Sequence, residues 1–474
     1  MTIHVVQPGE TLYGIAGRYG VDPELLRVSN GVPEDGALAV GQALAVQFVR
    51  TLHVVQPGQS LSSIAAEYGI PLRQLYRDNY GLLGQPEVRA GQRLVIAYDQ
   101  VKLGETFTNG YAYPYIQRLE LAAVLPYMSC LTPFTYGIDA QGGLLPLEDG
   151  MLLEEARRLG TGPLMHLSSL TEEGTFSSQR AAELLADPAA RAALTEQVAA
   201  TMEARGYQGL DVDFEFIPAA QKEDYAQFIR ELRQRLAPRG WPVLVALAPK
   251  TYAGQPGLLY EAHDYAALGA AADYVLLMTY EWGYTYGPPM AVAPLPNVRR
   301  VLDYAVTEIP PEKICLGIPN YGYDWPLPYR QGETQAQSLS NQEAVAAAVA
   351  YGAAIQYDET AQSPWFRYTA ADGAIHEVWF EDARSISEKL RLIRLYGLHG
   401  AGYWNLDRPF PQGWTVLNAL WTWRISHRPG SAADFCKKCR RKRTNNSFVW
   451  TVANFCAILT HNTQAEYAIS RTGG

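Results

Sequence analysis

From about residue 100 onward, short apolar runs alternate with amphipathic stretches along the chain. The apolar runs have the length of strands, and they cover residues 108–116, 122–129, 163–168, 209–215, 243–248, 274–280, 314–320 and 400–405. Helical spacing of apolar positions lies between them, at residues 187–205, 221–236, 260–269 and 385–396. Strands that alternate with helices predict a parallel sheet covered by helices, and this number of units predicts an α/β fold of the (β/α)8 TIM barrel class.

The fourth apolar run differs from the others because acidic and apolar residues alternate within it. It reads Gly209-Leu210-Asp211-Val212-Asp213-Phe214-Glu215-Phe216-Ile217-Pro218. Alternate side chains of a strand point to opposite faces, so Asp211, Asp213 and Glu215 are expected on one face, about 6.5–7 Å apart. Carboxylates at this spacing repel one another, and such a face is either solvated or part of a site. The two Phe of the opposite face argue against an exposed edge strand, so we predict a buried catalytic strand.

The first hundred residues contain an internal repeat. The run His4-Val5-Val6-Gln7-Pro8-Gly9-Glu10-Thr11-Leu12 returns as His53-Val54-Val55-Gln56-Pro57-Gly58-Gln59-Ser60-Leu61, and later positions match as well. Each copy predicts a strand, a turn at Pro-Gly, a helix capped by Thr11 or Ser60, a second helix and a closing strand. We therefore predict two β-α-α-β modules, at residues 1–49 and 50–99, before a barrel at residues 100–425.

Composition excludes several classes of function. A chain of 474 residues predicts two or three domains, and its net charge of −9 argues against nucleic acid as the partner. No stretch approaches the ~20 apolar residues of a membrane span. The start of the chain lacks a basic region followed by an apolar one, so we expect no signal peptide. The 30 Tyr and 10 Trp suit a protein that stacks rings against sugars. We expect a monomer without metal or cofactor.

The last part of the chain, residues 426–474, breaks the barrel pattern. It contains the basic run Lys437-Lys438-Cys439-Arg440-Arg441-Lys442-Arg443 and shows no clear period. A tether to an anionic surface and a partial zinc site are the functional alternatives, although His427 and His461 are badly spaced for four zinc ligands. We expect a poorly ordered extension, and a change of reading frame near residue 425 is one hypothesis for its origin.

The two N-terminal modules resemble LysM domains over residues 3–47 and 52–97. That family binds glycans that contain N-acetylglucosamine, such as peptidoglycan and chitin. The resemblance implies a groove between the loop after the first strand and the loop before the last strand. Some of the matching positions could instead serve only the turn or the module core. The implied contacts are Gly9, Thr11, Leu12 and Asn30 in the first module and Gly58, Ser60, Leu61 and Asn79 in the second.

The fourth strand resembles the D-x-x-D-x-D-x-E signature of glycoside hydrolase family 18, without its first Asp. The resemblance covers residues 104–424. It is supported by Asn109-Gly110-Tyr111, by Met278-Thr279-Tyr280-Glu281-Trp282, by residues 317–325 and 379–382, and by Gly402-Tyr403-Trp404. It implies the same barrel that the apolar pattern predicts, with its site at the carboxyl ends of the strands.

The family 18 resemblance also implies substrate-assisted retaining hydrolysis. Glu215 would protonate the glycosidic oxygen, Asp213 would bind the acetamido N–H, and Asp211 would share a proton with Asp213. Tyr280 would donate to the acetamido carbonyl, and Trp404 would form the floor under the reacting sugar. Further substrate contacts are expected from Glu281, Trp282, Tyr321, Trp325, Tyr111 and Asn109.

The tandem modules and the run from Tyr280 to Ala291 look like the spore cortex-lytic N-acetylglucosaminidases of spore-forming bacteria. This resemblance implies hydrolysis of peptidoglycan after N-acetylglucosamine, synthesis in the mother-cell cytoplasm, and deposition on the forming spore. A chitinase would use the same residues and remains an alternative. A lectin-like relative would typically lack Glu215, and a metal-dependent hydrolase would use the carboxylates as ligands.

Overall fold

The computed structural model describes residues 1–423, so the predicted extension at 426–474 lies outside the described residues. The first module consists of β1 (Thr2–Val5), α1 (Leu12–Tyr19), α2 (Pro23–Asn30) and β2 (Ala43–Val46). The second consists of β3 (Val49–Val54), α3 (Leu61–Glu67), α4 (Leu72–Asp78) and β4 (Arg93–Tyr98). The two strands of each module pair antiparallel, which confirms the predicted β-α-α-β order.

The predicted helix caps of both modules are present. Thr11 Oγ1 accepts a hydrogen bond of 3.1 Å from the backbone N–H of Gly14. Ser60 Oγ accepts one of 3.2 Å from the backbone N–H of Ser63. Each bond satisfies a donor that the first helical turn leaves without an intrahelical acceptor.

Parallel strands form the barrel in chain order. The third strand is broken at Leu164 into two pieces, of which the first pairs with the second strand and the other with the fourth. The elements up to the seventh strand are β5 (Gly104–Ala112), α5 (Arg118–Val124), β6 (Cys130–Pro133), α6 (Gly150–Leu159), β7 (Gly162–Pro163), β8 (Met165–Ser168), α7 (Ser178–Ala186), α8 (Pro188–Arg205), β9 (Leu210–Asp213), α9 (Lys222–Leu236), β10 (Val243–Leu247), α10 (Tyr265–Ala271), β11 (Tyr274–Leu277), α11 (Leu295–Glu308) and β12 (Ile314–Pro319).

A second sheet, which the apolar pattern did not predict, follows the seventh strand. Its elements are β13 (Gly322–Leu327), β14 (Gln337–Leu339), α12 (Asn341–Ala350), β15 (Gln356–Asp358), β16 (Ser363–Thr369) and β17 (Ile375–Trp379). The five strands are antiparallel in the order β14-β13-β17-β16-β15. The chain then returns to the barrel through α13 (Ala383–Tyr396), β18 (Gly400–Trp404), α14 (Pro411–Leu420) and β19 (Trp421–Trp423).

The fold class and the strand order of the barrel are confirmed, but the predicted second strand at residues 122–129 is wrong. Those residues form the end of α5 and a short 3-10 helix, Leu125–Tyr127, and the strand is β6. Helix α5 is buried from Leu121 through Val124, so no polar face marks its helical period. The first strand also begins earlier than predicted, at Gly104, and the predicted helix at 260–269 is α10, which starts at Tyr265.

The first module is hydrogen-bonded to the barrel and to the inserted sheet. Gln412 of α14 donates from Nε2 to the carbonyl oxygen of Ala43 at 2.7 Å. Thr415 donates to the carbonyl oxygen of Ser29 at 2.8 Å. The backbone N–H of Ile355, in the inserted segment, donates to the carbonyl oxygen of Val40 at 2.8 Å. This module therefore docks on both the last barrel helix and the insertion.

The second module shares its apolar core with the barrel, since its buried Leu61 and Leu75 belong to the same continuous cluster as barrel residues. Arg73 of α4 donates to the carbonyl oxygens of Leu125, Pro126 and Gly160 at 2.8, 3.0 and 2.9 Å. The carbonyl groups of Leu125 and Pro126 come just after helix α5, and that of Gly160 comes just after helix α6, so the arginine satisfies acceptors that the two helix ends leave free. Among residues 1–423, no helix is long and apolar enough to cross a bilayer.

Candidate active site

A cleft of about 570 Å³ opens at the carboxyl ends of the barrel strands. Its wall combines acidic side chains with a majority of aromatic and apolar ones, which is the usual make-up of a small-ligand site. The structure brings eight of the predicted site residues to this wall, namely Tyr111, Asp213, Glu215, Tyr280, Glu281, Trp282, Tyr321 and Trp404. Asp211 lies beneath it and is completely buried.

The acidic residues of the fourth strand occupy its barrel-facing side. Leu210, Val212 and Phe214 face the surrounding helices and are completely buried, as the alternation predicts. The strand itself ends at Asp213, and Phe216 does not continue the apolar face. Its φ is 55° and its side chain is 36% exposed, so the chain turns sharply just after Glu215.

At the bottom of the site, the Tyr111 hydroxyl donates a hydrogen bond of 2.5 Å to Oδ2 of Asp211. Burial raises the pKa of Asp211 well above its ordinary value, the Tyr111 hydrogen bond opposes this shift, and the charge of Asp213 adds to it. Within the described residues, Oδ1 of Asp211 has no hydrogen-bond partner. Tyr111 on the first strand therefore fixes the buried carboxyl of Asp211 beneath the cleft.

Asp213 stands between Asp211 and the cleft. Burial raises its pKa to about 7. The nearest ring is that of His166 on β8, whose Nε2 lies 3.8 Å from Oδ2 of Asp213. Burial lowers the pKa of His166 to about 3, so the imidazole is neutral and supplies no counter-charge. Its Nδ1 lies 2.6 Å from Thr135 Oγ1, which fixes the ring. Asp213 can thus gain or lose a proton near neutrality.

Glu215 lies near two other carboxylates, those of Asp213 and Glu281. Burial raises its pKa well above the ordinary value, and the charges of Asp213 and Glu281 raise it further. A carboxyl group in this setting keeps its proton to higher pH than an ordinary glutamate and can give it to a substrate oxygen.

Tyr280 and Trp404 close the floor and side of the cleft. Gly317 on the neighbouring strand leaves room for Tyr280, because a Cβ there would lie 2.9 Å from Cε1 of the tyrosine ring. The Trp404 ring packs against Phe134, Tyr111 and Tyr113, with centroid distances of 4.9, 5.7 and 5.9 Å. Both side chains are therefore positioned by close packing.

Glu281 follows Tyr280 and adopts an uncommon backbone conformation, with φ of 66°. Its carboxylate accepts hydrogen bonds from the hydroxyls of Tyr321 and Tyr323, the latter at 3.1 and 3.2 Å. Burial of the carboxylate raises its pKa, and the two tyrosines oppose that rise. The left-handed backbone of Glu281 and its two tyrosine donors together direct the Glu281 carboxylate into the cleft.

Two residues that the sequence predicted as substrate contacts lie elsewhere. Trp325 belongs to β13 of the inserted sheet, is completely buried, and donates from Nε1 to the carbonyl oxygen of Gly287 at 2.8 Å. Asn109 is buried one layer below the cleft and accepts a hydrogen bond of 2.9 Å from Thr132. The prediction was wrong for both residues because a motif match does not show whether a side chain reaches the cleft or is buried below it.

The predicted contacts of the modules are also mostly internal. Asn30 is buried and joins its helix to the closing strand through bonds with Leu26 and Ala45, at 2.6 to 3.0 Å. Asn79 does the same in the second module, and Leu12 and Leu61 belong to the module cores. Of the eight predicted contacts, the exposed ones are Gly9, Thr11, Gly58 and Ser60, which lie in turns and helix caps.

Several cleft residues were missed by sequence reasoning. They are Tyr113, Phe134, His166, Phe176 and Tyr260, which lie on four different strand ends and loops. The polar His166 inside the apolar run Met165-His166-Leu167-Ser168 was a usable signal. The aromatic loop residues gave none, because surface loops of any protein contain such side chains. Within residues 1–423, no group of three or more His, Cys, Asp or Glu is arranged to hold a metal ion.

Comparison with known proteins matches this geometry. The sequence pattern of "Glycosyl hydrolases family 18" matches residues 173–408, and that of "LysM domain" matches residues 4–47 and 53–97. The cortical fragment-lytic enzyme of Bacillus subtilis is 38% identical over 426 residues, covering 88% of this chain and 97% of that protein. The chain belongs to glycosyl hydrolases family 18. It carries two LysM domains and is a glycoside hydrolase.

Solved structures agree with the family assignment. The spore cortex-lytic enzyme SleL of Bacillus cereus superposes with a TM-score of 0.76 at 35% identity, covering 90% of this chain and 98% of that one. A chitinase from Chromobacterium violaceum superposes with a TM-score of 0.62 at 26% identity, covering 66% and 98%. The first comparison includes the region of the LysM domains, and the second covers a smaller part of the chain.

Proposed function

We propose that this glycoside hydrolase cleaves spore cortex peptidoglycan at the β-1,4 bond that follows N-acetylglucosamine. The cortex-lytic and cortical fragment-lytic names of its relatives support this substrate. Two LysM domains support a glycan target, and tandem binding modules raise the effective concentration of a polymer at the cleft. We place its action, as a monomer, at the spore.

The reaction begins with proton transfer from Glu215 to the glycosidic oxygen. As that bond breaks, the oxygen of the substrate's 2-acetamido group attacks the anomeric carbon and forms an oxazolinium ion. No enzyme carboxylate needs to act as the nucleophile, so the single high-pKa carboxyl in contact with the leaving oxygen is sufficient.

Asp213 accepts a hydrogen bond from the acetamido N–H and stabilises the positive charge of the oxazolinium ion. Asp211, held by Tyr111, exchanges a proton or hydrogen bond with Asp213, since adjacent buried carboxylates do not both ionise cheaply. Tyr280 donates its hydroxyl hydrogen to the acetamido carbonyl oxygen and aligns it for attack. Trp404 supports the apolar face of the reacting sugar.

In the second half of the reaction, Glu215 takes a proton from water, which then attacks the anomeric carbon and opens the oxazolinium ring. Two displacements on the same carbon leave the product with the starting β configuration. The observation that supports this scheme best is the placement of Asp211 and Asp213 on one strand with Glu215 just beyond its end, each carboxyl with a raised pKa.

A chitinase is the second candidate, favoured by the likeness to the chitinase of Chromobacterium violaceum. It would use the same carboxylates, because chitin is a polymer of N-acetylglucosamine with the same acetamido group. The two candidates differ only in whether the cleft accepts the lactyl substituent of muramic acid.

Mass spectrometry of spore peptidoglycan digested by the purified full-length chain tests the proposal. New reducing ends on N-acetylglucosamine are expected, with no such ends from Glu215→Gln. New reducing ends on muramic acid would exclude a glucosaminidase. Cleavage of chitin oligomers together with no cleavage of cortex glycan would favour the chitinase.

A further inference from the structure

A positively charged side chain stands at the mouth of the cleft, apart from the catalytic carboxylates. Arg408 lies in the loop that follows β18, shortly after Trp404. Its guanidinium carbon is 6.0 Å from the ring centroid of Tyr321, which lines the cleft. The positive charge also acts on the hydroxyls of Tyr113, another lining residue, and Tyr115, whose ring stacks on it at 5.0 Å. Arg408 is thus located between the walls formed by the first and seventh strand loops.

Among residues 1–423, the Arg408 guanidinium forms no salt bridge, although its charge acts at longer range on the carboxylates of Asp407 and Glu343. Its Nη1 is buried without a hydrogen bond, and within residues 1–423 no carboxylate forms an ion pair with it. The adjacent Asp407 instead accepts from the backbone N–H of Tyr113 at 3.2 and 3.3 Å. The buried Arg191, by contrast, is paired with Glu231 at 3.0 Å.

An unpaired, partly buried guanidinium is costly to the folded protein unless a ligand completes it. Guanidinium groups bind carboxylates with planar, charge-assisted hydrogen bonds. The chemistry of this site therefore calls for an anionic, carboxylate-bearing ligand. The hydroxyls of Tyr113 and Tyr115, which can also donate to carboxylates, are near the Arg408 charge, and so is the carboxylate of Asp407, which the backbone N–H of Tyr113 binds.

The proposed substrate carries such an anion next to the reacting sugar. In peptidoglycan, each N-acetylglucosamine is flanked by muramyl residues, whose 3-O-lactyl group ends in a carboxylate or continues into a peptide with carboxylates. Chitin carries no carboxylate. Tyr113 contacts both Trp404, the proposed floor of the reacting sugar, and the region of Arg408, so the charge lies about one sugar away from the reaction.

We propose that Arg408 forms a subsite for the carboxylate of the muramyl residue adjoining the reacting N-acetylglucosamine, with Tyr113 and Tyr321 as its walls. This inference rests on the proposed function and deepens it. Arg408 is then a specificity residue, which favours peptidoglycan over chitin without taking part in bond cleavage.

The test measures kcat/KM of the full-length wild type and Arg408→Gln on three oligosaccharides of equal length. One has alternating N-acetylglucosamine and muramic acid with free lactyl carboxylates, one is its methyl ester, and one is the chitin oligomer. The variant is expected to lose roughly 10- to 100-fold on the free acid, mainly through KM, and less than about twofold on the two neutral substrates. A fourth substrate, with L-alanine on the lactyl group, distinguishes a stem carboxylate from the lactyl one as the ligand.

Control variants separate this role from a loss of structure. Arg408→Lys keeps the charge and should restore part of the preference for the acid. Arg300→Gln removes one charge from the exposed face of α11, where its guanidinium contacts only Asn297, and should behave like wild type on all substrates. Circular dichroism and a thermal melt establish that each variant is folded.

The outcomes separate the two proposals. A wild type that cleaves the muramyl substrates, together with an Arg408→Gln variant that is unchanged on both acids or equally weakened on all substrates, would overturn the carboxylate subsite alone. A wild type that cleaves the chitin oligomer and none of the muramyl substrates would overturn the proposed function, and this inference with it. A loss of kcat/KM that is confined to the free lactyl substrate or to the L-alanine substrate supports the subsite, and it identifies the carboxylate that Arg408 binds.

Discussion

Tyr111 on the first barrel strand donates a 2.5 Å hydrogen bond to Asp211 on the fourth, across the interior of the barrel. The two residues are far apart in the chain, and their strands are not neighbours in the barrel sheet. The bond fixes which oxygen of Asp211 is occupied and leaves Oδ1 without a partner among the described residues. The bond thereby holds the Asp211 carboxyl beneath the cleft, where we propose that it exchanges a proton with Asp213.

Tyr111→Phe tests this positioning role. The change removes the hydrogen bond and keeps the ring against Trp404, so substrate stacking should persist. We expect kcat to fall roughly tenfold or more, as for loss of a hydrogen bond to a charged group, with KM within about twofold of wild type. Steady-state kinetics on a soluble cortex fragment checks this. An unchanged kcat would show that the Tyr111–Asp211 bond serves folding only.

Asp213→Asn should change how stability depends on pH. The folded-state pKa of Asp213, about 7, lies above the unfolded value of about 3.9. Its contribution to stability is therefore fully present below the unfolded pKa and is lost as pH rises through the folded pKa. The asparagine variant lacks this loss, so its stability relative to wild type should increase between pH 4 and pH 7, by on the order of 2–4 kcal/mol.

Urea unfolding at both pH values measures this difference. Glu183→Gln on the exposed face of α7 is the matched control, and its stability relative to wild type should stay constant with pH. A constant difference for Asp213→Asn as well would mean that the folded-state pKa of Asp213 is not raised.

Glu281→Gln should move the pH profile of the reaction. The negative charge of Glu281 raises the pKa of Glu215, and Glu215 must be protonated to act as the acid. Removing that charge lowers the pKa of Glu215, so the alkaline limb of the kcat/KM profile should shift to lower pH. Glu281→Asp keeps the charge and should leave the limb near its wild-type position. A shift to higher pH for Glu281→Gln would contradict the electrostatic account of the acid.

Asn30→Ala and Asn79→Ala should destabilise the chain while leaving the barrel reaction intact. Each asparagine closes its module with buried hydrogen bonds to backbone groups, and truncation leaves those groups unpaired. A loss of about 2–4 kcal/mol in the free energy of unfolding is expected. A weaker pull-down on peptidoglycan with unchanged stability would instead mean that the asparagines contact glycan directly.

The sequence allowed the barrel to be predicted because most of its strands are continuous apolar runs between amphipathic helices. The order of Leu210, Asp211, Val212 and Asp213 also showed which side chains share a face. The second half of helix α5 was mistaken for a strand because Leu121–Val124 are apolar and all buried. The inserted sheet was missed because its strands, such as β13 and β16, mix polar, aromatic and proline residues and contain no continuous apolar run.

The site was predictable where one local pattern carries the chemistry, as on the fourth strand. The site was less predictable where burial decides whether a residue can contact substrate. Trp325 and Trp404 both end strand-like motifs in the sequence, but Trp404 lines the cleft and Trp325 is buried away from it. Tyr113 and Phe176 belong to the site through tertiary packing of loops that are distant in the chain. Such long-range contacts leave no period or spacing in the sequence.

The central claim is that the substrate's acetamido group, guided by Asp213 and Tyr280, replaces an enzyme nucleophile while Glu215 moves the proton. Proton NMR of the sugar first released from a peptidoglycan or chitin oligomer by the wild-type chain tests it directly, in parallel with a matched oligomer whose reacting sugar carries a free amine. The account predicts the β anomer at the earliest times and no turnover of the amine substrate. An α anomer at the start, or equal turnover of the two substrates, would contradict it.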